Sequence, residues 1–200
     1  MEALPESANR VTKSDPLARR LAAGDPDAPR QLVERHHAEL YRYALALLRD
    51  ASSAEDIAQG TFENAFTALG KYPEDRIEAL CLRPWLYRIA LNLVRNAWRD
   101  RRREEPTAET PEGSDGHLGV SFAFASGTDR EAWMDALGAL GRLPERQRVA
   151  VTLRYLEDLP YGGISEATGW PESTCRTLVR RGIGRLGVLL GESDAKGGIR

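Results

Sequence analysis

Two hundred residues, 42% of them hydrophobic, with 28 Lys and Arg against 30 Asp and Glu, describe a globular chain able to bury one large core or two small ones. A net charge of −2 excludes a protein that holds nucleic acid by bulk basicity, and no apolar run approaches the roughly 20 residues of a membrane span. The opening MEALPESANR lacks the basic-then-apolar order of a signal peptide, so the cytoplasm is the expected location. Cys81 and Cys175 lie too far apart for a CxxC clip, and the histidines offer no HExxH or zinc-ligand spacing; free thiols, no metal and no other cofactor are expected.

Residues 1–28 carry Pro, Asp and Ser with little periodicity before LARRLA and read as a loose arm with room for one short helical turn. A firm helix is expected from about Pro29 to Asp50, with Leu32, Val33, His36, Leu40, Ala44, Leu47 and Leu48 as its apolar stripe. In SSAEDIAQGTFENAFTALGKY, Ser53 followed by Asp56 resembles a capping box and places a helix start there. Ile57, Phe62, Ala65, Phe66 and Leu69 form the core face of that helix, and Asp56, Gln59 and Glu63 line its outer face. Residues 71–83, with Pro73, several acids and then Pro84, suit a loop or short helix.

The stretch from Arg83 to Arg103, RPWLYRIALNLVRNAWRDRRR, organises the chain. At helical period Trp85, Leu86, Ile89, Ala90, Leu93, Val94 and Ala97 share one face, while Arg88, Asn92, Arg95 and Arg99 recur on the other. Arg101, Arg102 and Arg103 close the run. A charged helix face is ordinarily just solvated. Here acids are nearly absent, and Trp85, Tyr87 and Trp98 set flat rings among the arginines. Guanidinium groups hold phosphates and rings stack on unpaired bases, so this combination suits a partly single-stranded nucleic acid. A helical bundle over 29–103 is expected.

Residues 104–128 are acidic, free of Lys and Arg, and rich in Pro, Gly, Ser and Thr, which reads as a linker. A second helical domain is expected over 129–191, with a tail at 192–200. It opens on a helix carrying Trp133, Leu137, Leu140 and Leu143, followed by LPERQRVAVTLRYLEDL with Pro144 at the first helical position. YGGISEAT, a turn at Gly169, Trp170 and Pro171, and ESTCRTLVRRGIGRLGVLL then give a helix-turn-helix outline. Its second helix bears Arg176, Arg180, Arg181 and Arg185 and no acid from Ser173 to Leu190. Ser173, Thr174, Arg176, Thr177 and Arg180, with Arg181 beside them, are placed to reach base edges and phosphates, while Cys175 and Val179 fall on a buried stripe.

AEDIAQGTFENAF, WLYRIALNLVRNAWRDRRR and LPERQRVAVTLRYLEDLPYGGISEATGWPESTCRTLVRRGIGRL, in this order and spacing, resemble the extracytoplasmic-function group of sigma-70 factors. The resemblance implies an all-α protein of two small helical domains, with core RNA polymerase, promoter DNA and an anti-sigma factor as partners, and no enzymatic activity. It implies that Asp56, Gln59 and Glu63 contact the polymerase. Trp85, Tyr87, Arg88, Asn92, Arg95, Arg99 and Arg101 to Arg103 would work at the melted −10 element, and the 173–181 helix would enter the −35 major groove. Gly60 and Asn96 stand where the family commonly has acids, Gly162 and Gly163 replace an acidic pair, Ser173 replaces a Gly, and Leu178 and Ile183 replace basic residues. These departures bear on affinity and promoter sequence. The rival expectation is a stand-alone helix-turn-helix regulator, which needs a dimer interface or ligand pocket in its first domain. No convergent carboxylates or nucleophile–base pair suggest an enzyme.

Overall fold

Short polar side chains and prolines start the helices of the first half. In the computed structural model, which describes residues 15–104 and 127–197, Asp15 caps α1 (Pro16–Ala22) by accepting from the Leu17 N–H at 3.0 Å. The arm expected to be loose is therefore ordered from Asp15 onward: Leu17, Ala18 and Ala22 are buried against α2 (Ala28–Leu48) and α4 (Glu74–Glu78). Residues 1–14 lie outside the described residues. Helix α2 begins beside Pro29 and stops where Arg49 turns left-handed at φ 58°, its N–H closing on the Leu45 carbonyl. Asp50, not Ser53, caps α3 (Ala51–Leu69): its extended backbone lets its carboxylate accept from the Ser53 N–H at 2.7 Å. The expected cap was thus three residues late.

Helix α5 (Leu82–Glu104) crosses α2 and α3, and the three share a core built on Leu32, Leu40, Tyr43, Leu45 and Leu47, Ala54, Ala58 and Phe62, and Leu86, Leu91 and Val94. Gly60 lies at the α3–α5 crossing, where a Cβ would stand 3.4 Å from Leu93 Cδ1. His36, expected on an apolar stripe, is buried with Nδ1 3.4 Å from Glu39.

The second half comprises α6 (Gly127–Gly141), α7 (Glu145–Val151), α8 (Tyr161–Thr168) and α9 (Glu172–Gly197). Pro144 is the cap residue of α7, with ψ 140°, rather than its first helical residue. The helix expected to run through to Leu159 instead widens into a π turn over Thr152–Leu156, closed by the Glu157 N–H on the Thr152 carbonyl. Gly169, at φ 75°, ends α8 in the left-handed region and turns the chain into α9. Helix α9 runs to Gly197, past the tail boundary placed at 192. Of the expected linker, residues 105–126 lie outside the described residues; α5 and α6 supply its two ends.

The halves pack on one another. Helix α8 lies along α5, and α2 meets both α6 and the π turn. Val149, Leu153, Leu159, Ile164, Ala167 and Cys175 join the core of the first half, while Ala46 of α2 packs with Leu137, Leu140, Leu143 and Val151.

Candidate nucleic-acid and polymerase interfaces

The outer face of α3 is as the periodicity predicts. Asp56, Gln59 and Glu63 are exposed, and the Gln59 amide donates to Glu63 Oε1 at 2.9 Å. None of the three is needed by the core, which α3 supplies through Ile57, Ala58, Phe62 and Ala65.

Helix α5 departs from expectation at its rings. Trp85 is 8% exposed, packed near Tyr72, and Tyr87 is 1% exposed, edge-on to Tyr43 at 5.0 Å between centroids. Neither ring can stack on a base in this arrangement, because the apolar face is wider than the period-3.6 pattern suggested and takes in Tyr87 and Leu91. The arginines divide into two groups. Arg88 donates from Nε to the Glu166 carbonyl at 2.8 Å, Arg95 faces the Trp170 ring at 6.0 Å, and Arg102 pairs with Glu145, all in the second half. Arg101 turns back to the Leu48 carbonyl and Ser53 hydroxyl, and Arg99 donates to Asn96. Asn92, Arg99 and Arg103 are exposed.

Beneath this face lies a polar cluster that spacing alone does not suggest. The π turn carries Glu157 inward, where its side chain is 0% exposed. Arg42 grips it with two parallel bonds, Nε to Oε1 at 3.0 Å and Nη2 to Oε2 at 2.7 Å. The Tyr87 hydroxyl donates to Oε2 at 2.6 Å, and Arg83 donates to the Glu157 backbone carbonyl at 2.7 Å. Burial, reinforced by the Glu157 charge, pushes the Tyr87 hydroxyl up, so it stays a donor. Arg83 also donates to Glu39 Oε2 at 2.9 Å. Burial pushes the Glu39 carboxyl up, but the hydrogen bonds from His36 and Arg83 and their charges prevail and hold it at about 2. Nearby, Arg148 donates to the carbonyls of Leu47, Gly141 and Leu143, tying the ends of α2 and α6 together; burial lowers its pKa. In sequence Glu157 is one acid of a Glu-Asp pair before Leu-Pro and reads as a surface residue. Only its position after a π turn turns it inward, and a single unpaired sequence carries no signal for that turn.

The helix-turn-helix matches its outline. Arg180, Arg181 and Arg185 are exposed on α9, Ser173 is exposed at its start, and Thr174 and Thr177 are half-buried, Thr177 donating to the Ser173 carbonyl. Arg176 pairs with Glu172 at 3.0 Å and lies over the Tyr161 ring at 4.5 Å. Cys175 and Val179 are buried, as their stripe requires, and burial pushes the Cys175 thiol up, away from the reactive thiolate. Among the described residues no three His, Cys, Asp or Glu side chains converge as metal ligands, and no helix is long and apolar enough to cross a membrane.

Comparison with known proteins finds two matching stretches. Residues 32–104 match the family model described as Sigma-70 region 2, and residues 134–186 match Sigma-70, region 4. The RNA polymerase sigma-H factor of Pseudomonas aeruginosa is 31% identical over 174 residues, covering 82% of this chain and 87% of that one. The ECF RNA polymerase sigma factor SigW of Bacillus subtilis is 28% identical over 80% of this chain and 87% of its own. In fold, the chain is similar to the sigma factor RpoE in its complex with the anti-sigma factor NepR from Bartonella quintana, with a TM-score of 0.65, 22% identity, and coverage of 82% and 98%. A region 2 bundle and a region 4 helix-turn-helix in one all-helical chain, with relatives over most of its length, place this protein in the extracytoplasmic-function group of the sigma-70 family, which binds core RNA polymerase and promoter DNA and directs promoter-specific transcription initiation.

Proposed function

We propose a division of that work among named residues. Asp56, Gln59 and Glu63 on the exposed face of α3 hold core polymerase. Arg176, Arg180 and Arg181, with Ser173, Thr174 and Thr177, dock α9 in the duplex −35 major groove. The polar side of α5, with Arg88, Asn92, Arg95, Arg99 and Arg101 to Arg103, captures the melted −10 strand, and Trp85 and Tyr87 support that side from the core. The domains that carry these roles are 29–103 and 129–191. The chain itself breaks no bond: unstacking a base costs a few kcal/mol, and contacts made only with the extruded base offset that cost and shift the duplex toward the open form. Each half binds weakly and gains from the other through effective concentration on one polymerase. The factor acts in the cytoplasm, where core polymerase is found. An anti-sigma factor is a further partner, supported by the likeness in fold to a factor solved with one.

The observation that carries this reading is that α5 presents exposed Asn92, Arg99 and Arg103 while α9 presents Arg176, Arg180 and Arg181, on two helical units of one chain. Asn92 is the discriminating probe, since it is exposed and its amide can both donate to and accept from a base edge. Runoff transcription with core polymerase should be reduced by Asn92→Ala much more on a duplex promoter than on a template with a mismatched −10 bubble, where unpairing is already done. Equal defects on both templates would mean that this face docks DNA without helping to open it.

A further inference from the structure

Helix α9 opens on an acid. Glu172 is its first residue, and no other Asp or Glu follows before Leu190. It faces the same way as the first of the arginines: Glu172 and Arg176 are one turn apart, and Glu172 Oε2 accepts from Arg176 Nη2 at 3.0 Å. The pair has a fixed seat. The Arg176 guanidinium lies over the Tyr161 ring, 4.5 Å from its centroid, and Tyr161 is itself packed on the core. The other carboxylate oxygen, Oε1, rests on bare backbone of α8, where a Cβ at Gly162 would stand 3.3 Å away. Both side chains nevertheless stay about half exposed, Glu172 at 49% and Arg176 at 59%. An exposed pair of this kind contributes little to stability. An acid among phosphate-binding arginines also opposes docking on DNA, unless it meets a donor there.

We propose that Glu172 is a specificity-determining residue of the −35 contact: with Arg176 it reads two adjacent base pairs, a guanine through the arginine and a cytosine through the carboxylate. This rests on the placement of α9 in the −35 major groove. Side chains at the N-terminal end of a recognition helix are the ones that meet base edges. Guanine presents N7 and O6, acceptors that suit the Arg fork, and cytosine presents the N4 amine, a donor that a carboxylate accepts. The tips of the two side chains, 3.0 Å apart, match the rise of about 3.4 Å from one base pair to the next. The bond between them need not break, because the carboxylate keeps lone pairs to spare and the guanidinium keeps further N–H groups. Thymine and guanine set acceptors where the cytosine amine would lie, and the negative charge repels them. Adenine sets N7, an acceptor, beside its amine. Gly162 belongs to the same device, since a side chain there would press the carboxylate off its seat. Glycine inside an eight-residue helix weakens that helix, and here its bareness makes the room.

The test uses holoenzyme formed from the full chain and core polymerase, on a promoter library randomised over the −35 element, with the transcribed templates counted by sequencing. Arg176→Ala locates the base pair that Arg176 reads, as the position where preference relaxes. Wild type should prefer cytosine at a neighbouring position. Glu172→Gln should move that preference to adenine, whose N6 and N7 suit an amide, by roughly tenfold there and with the other positions unchanged. Gly162→Glu, which keeps both members of the pair but crowds and repels the carboxylate, should flatten preference at the same position. If Glu172→Gln is inactive, Gly162→Glu decides. An effect of Glu172→Gln that is equal on all templates means that the residue acts only as a charge, and overturns the proposal; so does a shift at a position not next to the one Arg176 reads. Relaxed preference in Arg176→Ala beside wild-type preference in both Glu172→Gln and Gly162→Glu removes Glu172 and leaves α9 as the reader. Unaltered preference in Arg176→Ala and Arg180→Ala alike removes the groove assignment, and the proposal with it.

Discussion

Two glycines in α9 test how closely the recognition helix is seated on α7. A Cβ added at Gly184 meets nothing within 4 Å, so Gly184→Ala should gain the full helix-propensity difference, about 1 kcal/mol. A Cβ added at Gly182 would stand 2.5 Å from Val151 Cγ2, more than an ångström inside ordinary carbon–carbon contact. Val151 is buried and stiff at χ1, and the Gln147 Cβ and carbonyl oxygen at 3.5 and 3.6 Å block retreat in another direction. Overpacking of this kind costs about 1–3 kcal/mol, which cancels or exceeds the propensity gain. The two variants should therefore differ by about 1–3 kcal/mol, with Gly182→Ala the less stable. Urea unfolding followed by helicity gives the comparison through the two midpoints. A forced shift of α9 on α7 should also weaken −35 duplex binding by Gly182→Ala and leave Gly184→Ala unaffected. If Gly182→Ala is stabilised as much as Gly184→Ala, the helices are not packed at this distance and the reasoning fails.

The remaining predictions concern charge and contact. Glu39 stays ionised in the folded chain down to about pH 2, whereas the unfolded carboxyl takes up its proton near 4.5, so its contribution to stability is full above pH 4.5 and is lost as pH falls toward 2. Glu39→Gln should accordingly be less stable than wild type at neutral pH, with the gap closing between pH 4.5 and 2; a gap independent of pH would refute the assignment. Arg176→Ala should lose about 1–3 kcal/mol at one −35 base pair and relax preference there, measured by transcription from a panel of −35 variants. Its ion pair with Glu172 is exposed and adds little to stability. Asp56→Ala combined with Gln59→Ala should leave helicity intact and weaken core-polymerase binding in a titration of labelled protein; unchanged affinity would remove α3 from the polymerase contact.

What periodicity could express, it expressed well. The apolar stripes of α2 and α3, the buried Cys175 and Val179, and the exposed arginines of α9 follow from residues three or four apart on a helix. Motif order carried the family. What stayed hidden depends on partners remote in sequence. Tyr87 looked like a stacking ring because an aromatic among arginines has two uses, and the chain alone does not say that Glu157, seventy positions later, takes its hydroxyl. Asp50 lost the cap to Ser53 in the sequence reading because two capping residues stood three apart, and backbone conformation at Asp50 decided between them. Helix α1 exceeds the one short turn expected there, because a seven-residue helix has too few turns to display a period. The π turn was missed because its residues, Thr152 to Leu156, are ordinary helix formers in composition.

The π turn before Glu157 makes chain length, as much as residue identity, a determinant of the contact between the two halves at Arg42 and Glu157. It holds its extra residue within a helix, and each residue in an ordinary helix advances the direction of the next side chain by about 100°. Loss of a single residue there, such as the exposed Tyr155, would restore a regular α-helix and swing Glu157 by about that angle away from Arg42 with no substitution at either position. In an alignment of this protein with its relatives, then, a one-residue gap before Glu157 marks a relative that lacks the Arg42–Glu157 contact, and a scan for conserved charges alone would pass over it.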